Sequence, residues 1–177
     1  MIVFRPTRTE DAPAIARVYV GGWRDAYPGI LPDHVLLGLS EARQEREWRT
    51  SILHDRGHGL LHVALDGGRL VGFGSAGRSR FGTLPFAGEV FTLYVDANAR
   101  GRGIGQGLLV RLFGALARAG RGSAIVWVLA ANPARHFYAA QGGRVVAEWT
   151  ERQWGVPLRQ AAYGWPDLHK AVASRMR

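Results

Sequence analysis

The sequence of 177 residues contains no cysteine, and this absence excludes several kinds of chemistry at once. A chain without cysteine cannot form a disulfide bond, a thiolate metal site, an iron–sulfur cluster or a thiol acyl-enzyme. Because disulfide bonds are typical of oxidising compartments, their absence favours a cytoplasmic protein.

The sequence also lacks any apolar run of the roughly eighteen residues that a membrane-spanning helix needs. Residues 1–6 do not show the basic and then apolar pattern of a secretory signal. We therefore expect no membrane partner. No repeat, low-complexity tract or linker divides the chain, so the length predicts a single domain over residues 1–177.

Lysine is nearly absent: Lys170 is the only one, and the net charge of +9 comes almost entirely from arginine. A basic surface can bind nucleic acid, an anionic membrane or a phosphorylated small molecule. Here the arginines are scattered, and the densest pair, Arg100 and Arg102, lies among glycines. This placement indicates a local phosphate ligand and no nucleic-acid partner.

Hydrophobic patterning predicts helices that alternate with strands, which is typical of a layered α/β or α+β domain. Helical spacing follows a Thr-x-x-Glu start at residues 7–10, returns in two pieces over 33–54, and follows residue 103. A short helix is predicted over 133–141. The predicted strands cover residues 2–5, 60–65, 70–76, 88–95, 124–129, 144–153 and 159–165.

The most informative segment is the glycine loop, residues 100–107, which lies between the strongest predicted strand and a helix. A helix start offers unpaired N–H groups and a positive dipole end, and glycine lets a ligand reach them. This combination predicts a pyrophosphate site, with a turn that binds nothing as the alternative. The spacing fits neither the dinucleotide fingerprint nor the nucleoside-triphosphate loop. It does form Arg-x-x-Gly-x-Gly with Arg100, Gly103 and Gly105.

This pattern resembles the signature of the GNAT superfamily of acyl-CoA-dependent N-acetyltransferases, where it follows the fourth strand. Residues 93–105 are similar to it throughout. Residues 132–143, an Asn followed by a helix with Phe-Tyr and a Gly pair, are similar to a second family feature, and residues 4–23 to its first strand and helix. The resemblance implies an α/β (α+β) fold with a mixed, mostly antiparallel central sheet of six to seven strands and helices on both faces.

The resemblance also implies that acetyl-CoA is the co-substrate. Its pyrophosphate would lie on the loop amides, and its pantetheine arm would pair with the end of the fourth strand, where an N–H group can also stabilise an oxyanion. Asn132 would hydrogen-bond the pantetheine, cap the next helix, or do both. The residues that this assigns to acetyl-CoA are Tyr94, Val95, Arg100, Gly101, Arg102, Gly103, Ile104, Gly105 and Asn132. No metal is expected, because the spacing of His54, His58 and His62 fits no standard site.

Two residues are candidates for catalysis. Tyr138 matches the family's usual general acid, which would protonate the leaving thiolate with a gain of about 10²-fold; a tyrosine that only packs on the sheet is the alternative. Glu89 opens the fourth strand, where many relatives have their general base. Strand alternation places it on one face with Phe91 and Leu93. A solvated carboxylate at a strand end is an equally good interpretation of Glu89.

The acceptor side is weakly specified. Trp23 and Tyr27 correspond to the region that walls the acceptor pocket in the family, although Trp23 also continues an apolar stripe and could be core. Arg24 could hold a substrate carboxylate or be solvated. The resemblance implies direct acetyl transfer to a primary amine, of a small molecule or a peptide, in a ternary complex. A non-catalytic acyl-CoA-binding module is the alternative, and a homodimer is an open option.

Overall fold

The computed structural model describes residues 1–55, 58–80 and 82–174, and its centre is a seven-stranded sheet. The strands are β1 (Ile2–Pro6), β2 (Leu61–Asp66), β3 (Arg69–Arg78), β4 (Gly88–Val95), β5 (Ala124–Leu129), β6 (Arg144–Gln153) and β7 (Val156–Trp165). Their order across the sheet is β1-β2-β3-β4-β5-β7-β6. Every described strand pair is antiparallel except β4 with β5. The predicted mixed, mostly antiparallel sheet is therefore confirmed.

The helices are α1 (Ala12–Ala26), α2 (Asp33–Leu37), α3 (Glu41–Asp55), α4 (Ile104–Arg118), α5 (Ala134–Ala140) and α6 (Leu168–Ala173). Neighbouring residues of β3 show how they cover the sheet. A Cβ at Gly74 would approach Leu112 of α4 to 2.8 Å, whereas Phe73 packs with Ile15 of α1. Because successive strand residues point to opposite faces, α4 covers one face, and α1 and α3 cover the other. Helices on both faces were expected, and this is confirmed.

The start of α1 differs from the prediction. The helix begins at Ala12, after a 3-10 turn over Thr9–Asp11, and the carboxylate that caps this turn is that of Asp11, not the glutamate of the pattern at residues 7–10. Its Oδ2 atom accepts a hydrogen bond from the Arg8 amide at 2.7 Å, and the Arg5 guanidinium binds both carboxylate oxygens at 2.6 and 2.8 Å. The capping carboxylate of Asp11 is thus also bound to Arg5 of β1, whereas the predicted cap involved only residues 7–10.

The C-terminal helix α6 was not predicted. It is short, and its first residue, Leu168, is fully buried among core residues that include Phe113 and Leu116 of α4. The side chain of Asp167 accepts a hydrogen bond from the Lys170 amide at 3.0 Å and caps it. Within the described ranges, no helix combines the length and the apolar character that crossing a membrane requires.

Strand β4 carries a one-residue bulge, which changes the face to which the side chains of its first half point relative to those of its second half. Ser75 of β3 pairs with Thr92, and the next residue, Ala76, pairs with Val90, which leaves Phe91 without a partner on β3. Val90 and Leu93 consequently both pack towards α4, although they are three residues apart. The prediction that Glu89, Phe91 and Leu93 share one face is wrong, because a bulge interrupts the alternation on which it depends.

The parallel pair β4–β5 separates soon after it begins. The two strands pair only over Gly88–Val90 and Ala124–Val126. Beyond this point residues 92–95 still pair with β3, but no described strand lies on their other side. The separation leaves a gap in the sheet between the second halves of β4 and β5.

Candidate active site

A cavity of about 760 Å³ opens where β4 and β5 separate. This is the size of a pocket for a small molecule or cofactor. One region of it, the loop region, consists of Arg100, Gly101 and residues 103–106, which include the start of α4. Another, the α1-side region, consists of Trp23, Tyr27, Leu31 and Leu158, three of which lie in or just after α1 and the last on β7. Both regions border the same open edge of β4.

The loop region presents main chain rather than side chain. Gly101 and Gly103 have φ values of +76° and +75°, a left-handed conformation that glycine adopts at no steric cost. A Cβ at either position would meet nothing within 4 Å, so the space above both is open. The first α4 hydrogen bond runs from the Gly107 amide to the Gly103 carbonyl at 2.9 Å, so the amides of residues 104–106 have no partner within the helix. This cradle fits a pyrophosphate, because it offers N–H donors and a positive dipole end.

The two arginines of the loop have different surroundings. Arg100 lines the cavity; its guanidinium binds Asp25 of α1 at 2.5 Å and the Val95 carbonyl at 3.3 Å. Arg102 lies outside the cavity lining and binds Asp66 at 2.7 Å, at the turn between β2 and β3. The hydrogen bond from Arg102 lowers the pKa of the Asp66 carboxyl. The predicted donor-site residues thus come together at the cavity, except for the side chain of Arg102.

Tyr94 and Val95 lie at the open end of β4 and line the cavity. The main-chain groups that point away from β3 have no strand partner here, so an extended ligand could pair with them. The ring of Tyr94 is held against α1, where a Cβ on Gly22 would approach it to 2.6 Å. Burial raises the pKa of Tyr94 well above its usual range, and the hydrogen-bonded Tyr27 adds to this increase.

Asn132 and Tyr138 belong to the α5 side of the cavity. The Asn132 Oδ1 atom accepts a hydrogen bond from the Ala134 amide at 2.9 Å, so the capping role is present. Tyr138 is buried on α5, with its ring 5.2 Å from that of Phe137. Burial raises the pKa of Tyr138 far above its usual range, with a smaller contribution from Tyr27. The Tyr138 hydroxyl therefore keeps its proton at neutral pH.

Glu89 is not brought to the cavity lining. Its side chain is fully buried, and the amide of Arg80 donates to its Oε2 atom at 3.0 Å. The Arg80 guanidinium donates to Oε1 at 3.1 and 2.5 Å and lies over the Phe91 ring at 4.9 Å. The alternative of a solvated carboxylate is wrong, because the side chain has no exposed surface. The general-base role stays a prediction, for a carboxylate that an arginine already holds.

Trp23 and Tyr27 line the cavity, with their rings 5.0 Å apart in an edge-to-face arrangement, and their role in binding the acceptor stays a prediction. Arg24 points elsewhere: its guanidinium donates to the carbonyls of Leu36 and Leu39 at 3.5 and 3.1 Å. It therefore holds the chain after α2 rather than a substrate carboxylate.

Two polar residues of the cavity carry no signal in the sequence. Glu151 of β6 and Gln160 of β7 line it, and the Gln160 Nε2 atom donates to the Glu151 Oε1 atom at 2.6 Å. They meet only because β6 and β7 pair, which no local motif announces.

No group of three or more His, Cys, Asp or Glu side chains that could hold a metal ion is present in the described part of the chain. Of the three histidines that were considered, His62 is buried on β2. Burial is the main cause that lowers the pKa of its imidazole.

Known proteins with this arrangement identify the family. The model of the acetyltransferase (GNAT) family matches residues 23–142, more than half of the chain. A Bacillus subtilis protein named uncharacterized N-acetyltransferase YuaI is 32% identical over 168 residues, which are 95% of each chain.

Solved structures share the fold. The yncA protein from Salmonella typhimurium, whose structure contains acetyl-CoA, has a TM-score of 0.72 at 19% identity, with 95% of this chain and 94% of that one covered. The paia N-acetyltransferase from Thermoplasma acidophilum, in complex with coenzyme A, has a TM-score of 0.69 at 17% identity, with 91% and 98% covered. With the family model and the B. subtilis relative, this makes the chain a member of the acetyltransferase (GNAT) family, the acetyl-CoA-dependent acyltransferases.

Proposed function

We propose that the protein transfers the acetyl group of acetyl-CoA directly to a primary amine while both substrates are bound. The observation that carries this proposal is that one cavity joins the glycine cradle, the open edge of β4, Tyr138 and the α1-side region. A donor on the cradle and an acceptor in the α1-side region would meet within this cavity. The chain has no cysteine, so a thiol acyl-enzyme is excluded.

The donor would be held mainly by main-chain groups. The amides after Gly103 would bind the pyrophosphate of acetyl-CoA. The open edge of β4 at Tyr94 and Val95 would pair with the pantetheine arm, and Asn132 would add a side-chain contact. The charge of Arg100 is already balanced by Asp25, so most of the affinity should come from the amides. When bound, acetyl-CoA supplies an activated acetyl thioester.

Tyr138 would act as the general acid. Tyr138 lines the cavity, and its hydroxyl keeps its proton at neutral pH, because burial raises its pKa. The hydroxyl would donate that proton to the sulfur of the leaving thiolate as the carbon–sulfur bond breaks. The acceptor would first lose a proton from its ammonium form to solvent, because only the neutral amine has the electron pair for the new carbon–nitrogen bond. The second proton that the nitrogen loses after attack would also pass to solvent, from which Tyr138 regains its proton, so that the products are the N-acetyl amine and CoA with a free thiol.

The test is thiol release from acetyl-CoA with a panel of primary amines, in wild type and in Tyr138→Phe. We expect Tyr138→Phe to lower kcat by about 10²-fold and to leave the KM for acetyl-CoA nearly unchanged. Tyr163→Phe is the matched control, because Tyr163 is also a buried tyrosine but does not line the cavity. Binding of CoA without turnover of any amine would overturn the proposal and favour a non-catalytic acyl-CoA-binding module.

A further inference from the structure

The cavity contains one acidic side chain that no described cation neutralises. Its acidic lining residues are Asp25 and Glu151, and Asp25 is bound by Arg100 at 2.5 Å. Glu151 is half-buried and has Gln160 as its hydrogen-bond donor, on Oε1. Across the described residues, no hydrogen bond or ion pair reaches the other oxygen, Oε2. A neutral amide thus orients the carboxylate without cancelling its charge.

Strand pairing places Glu151 in the α1-side region. Glu151 lies directly opposite Leu158 on β7, and residues that face each other across a pair share one face of the sheet. Leu158 packs in a cluster with Leu31, Trp23 and Tyr27. The carboxylate therefore lies beside an apolar and aromatic wall, where its electrostatic interaction with a charged ligand is stronger than in open water.

The lining offers no cation to this region. Arg100 is the only Lys, Arg or His among the described residues that line the cavity, and Asp25 holds it. Arg24 is committed to backbone carbonyls after α2, and Arg159 of β7 binds Glu148 at 2.8 Å on the exposed surface. A substrate carboxylate here would meet Glu151 and no partner.

We propose that Glu151 binds the ammonium group of the acceptor, and that the acceptor is an amine with an apolar group beside the nitrogen and no carboxylate there. The inference rests on the proposed acetyl transfer and adds to it the chemical class of the acceptor. Glu151 attracts the ammonium group, and the wall of Trp23, Tyr27 and Leu158 packs against the apolar group of the acceptor. The carboxylate of Glu151 also repels the carboxylate of an α-amino acid.

Three probes with one skeleton test the substrate class: phenethylamine, phenylalaninol and phenylalanine. Phenylalaninol has a neutral hydroxymethyl group where phenylalanine has its carboxylate, so the pair separates charge from size. We expect phenylalanine to have a kcat/KM lower than that of phenylalaninol by about tenfold or more, as expected for like charges in a partly desolvated site. Equal use of the two, or a preference for phenylalanine, would overturn the inference.

Variants test the residue. Glu151→Gln should raise the KM for phenylalaninol by about tenfold or more, leave the KM for acetyl-CoA unchanged and narrow the discrimination against phenylalanine. Glu148→Gln is the matched control, since Glu148 lies on the same strand but outside the cavity. An unchanged KM for phenylalaninol in Glu151→Gln, or the same effect in Glu148→Gln, would contradict the role of Glu151. Thermal unfolding of both variants shows whether each is folded.

A binding measurement separates this inference from the proposed function. Phenylalaninol and phenylalanine are titrated by calorimetry into wild type and Glu151→Gln, each saturated with CoA. The inference is supported if wild type binds phenylalaninol more tightly than phenylalanine and if Glu151→Gln weakens the binding of phenylalaninol. If this holds and no amine is acetylated, only the proposed acetyl transfer fails. If amines are acetylated and neither their binding nor their turnover depends on Glu151, the proposed acetyl transfer stands and the inference about Glu151 fails.

Discussion

The most informative perturbation is a single methyl group in the glycine cradle. Gly103 has a φ of +75° immediately before α4, and a Cβ there would meet no atom within 4 Å. Gly103→Ala can therefore fold without a clash, but its methyl group would enter the open space of the cavity that Gly103 lines, which the diphosphate would otherwise occupy. Gly120, at the other end of α4, has the same φ of +75° and equally open space, and it does not line the cavity.

The matched pair allows the two effects to be separated. An alanine in the left-handed region costs about 1 kcal/mol, which lowers Tm by about 2–4 °C for a domain of this size. That cost should be the same for Gly103→Ala and Gly120→Ala. A hydrogen bond to a charged group contributes about 1.5–3 kcal/mol, so the loss of one amide–phosphate bond weakens CoA binding by about 10- to 150-fold.

The assay is calorimetric titration of CoA into both variants, with thermal unfolding alongside. We expect similar decreases in Tm, a large loss of CoA affinity in Gly103→Ala and wild-type affinity in Gly120→Ala. Equal CoA affinities in the two variants would refute a main-chain cradle at this helix start. Weakened binding in both would show that the strain, and not the methyl group, is responsible.

Two further predictions concern stability. Gly107→Ala should destabilise the fold by about 1–3 kcal/mol, because its Cβ would come within 2.3 Å of the Phe4 ring; an unchanged Tm would contradict this close packing of α4 on β1. Burial alone would raise the pKa of Asp11, but hydrogen bonds from Arg5 and the Arg8 amide outweigh it and hold the pKa below 3.8. This stabilisation is present above pH 3.8 and is lost as the pH falls and the carboxyl is protonated. Asp11→Asn should therefore be less stable than wild type at pH 7 and as stable as wild type at a pH where Asp11 is protonated. A difference in denaturant midpoint that persists unchanged at low pH would contradict it.

Local patterns in the sequence were sufficient for most of the fold. The strands predicted over 88–95, 124–129 and 144–153 have these bounds in the structure, since dense β-branched residues and flanking glycines define them locally. The glycine loop was equally readable, because cradle and helix start are adjacent in sequence. Tyr138 also reaches the cavity, on a helix whose limits the sequence shows to within one residue at each end.

What the sequence did not reveal depends on pairing between distant segments. The bulge at Phe91 is a property of the β3–β4 register, so simple alternation wrongly placed Glu89 and Leu93 on one face. The partner of Glu89 is Arg80, from the segment before β4, and no spacing rule links the two. Glu151 enters the cavity only through its alignment with Leu158, which local sequence does not encode.

The central claim is that main-chain amides at the start of α4 hold the diphosphate of coenzyme A. Its most direct test is calorimetric titration of the wild-type protein with CoA and, separately, with pantetheine, which has the same thiol arm but no nucleotide diphosphate. We expect CoA to bind at least about 10²-fold more tightly than pantetheine. No heat with CoA, or equal affinities for the two ligands, would contradict the claim.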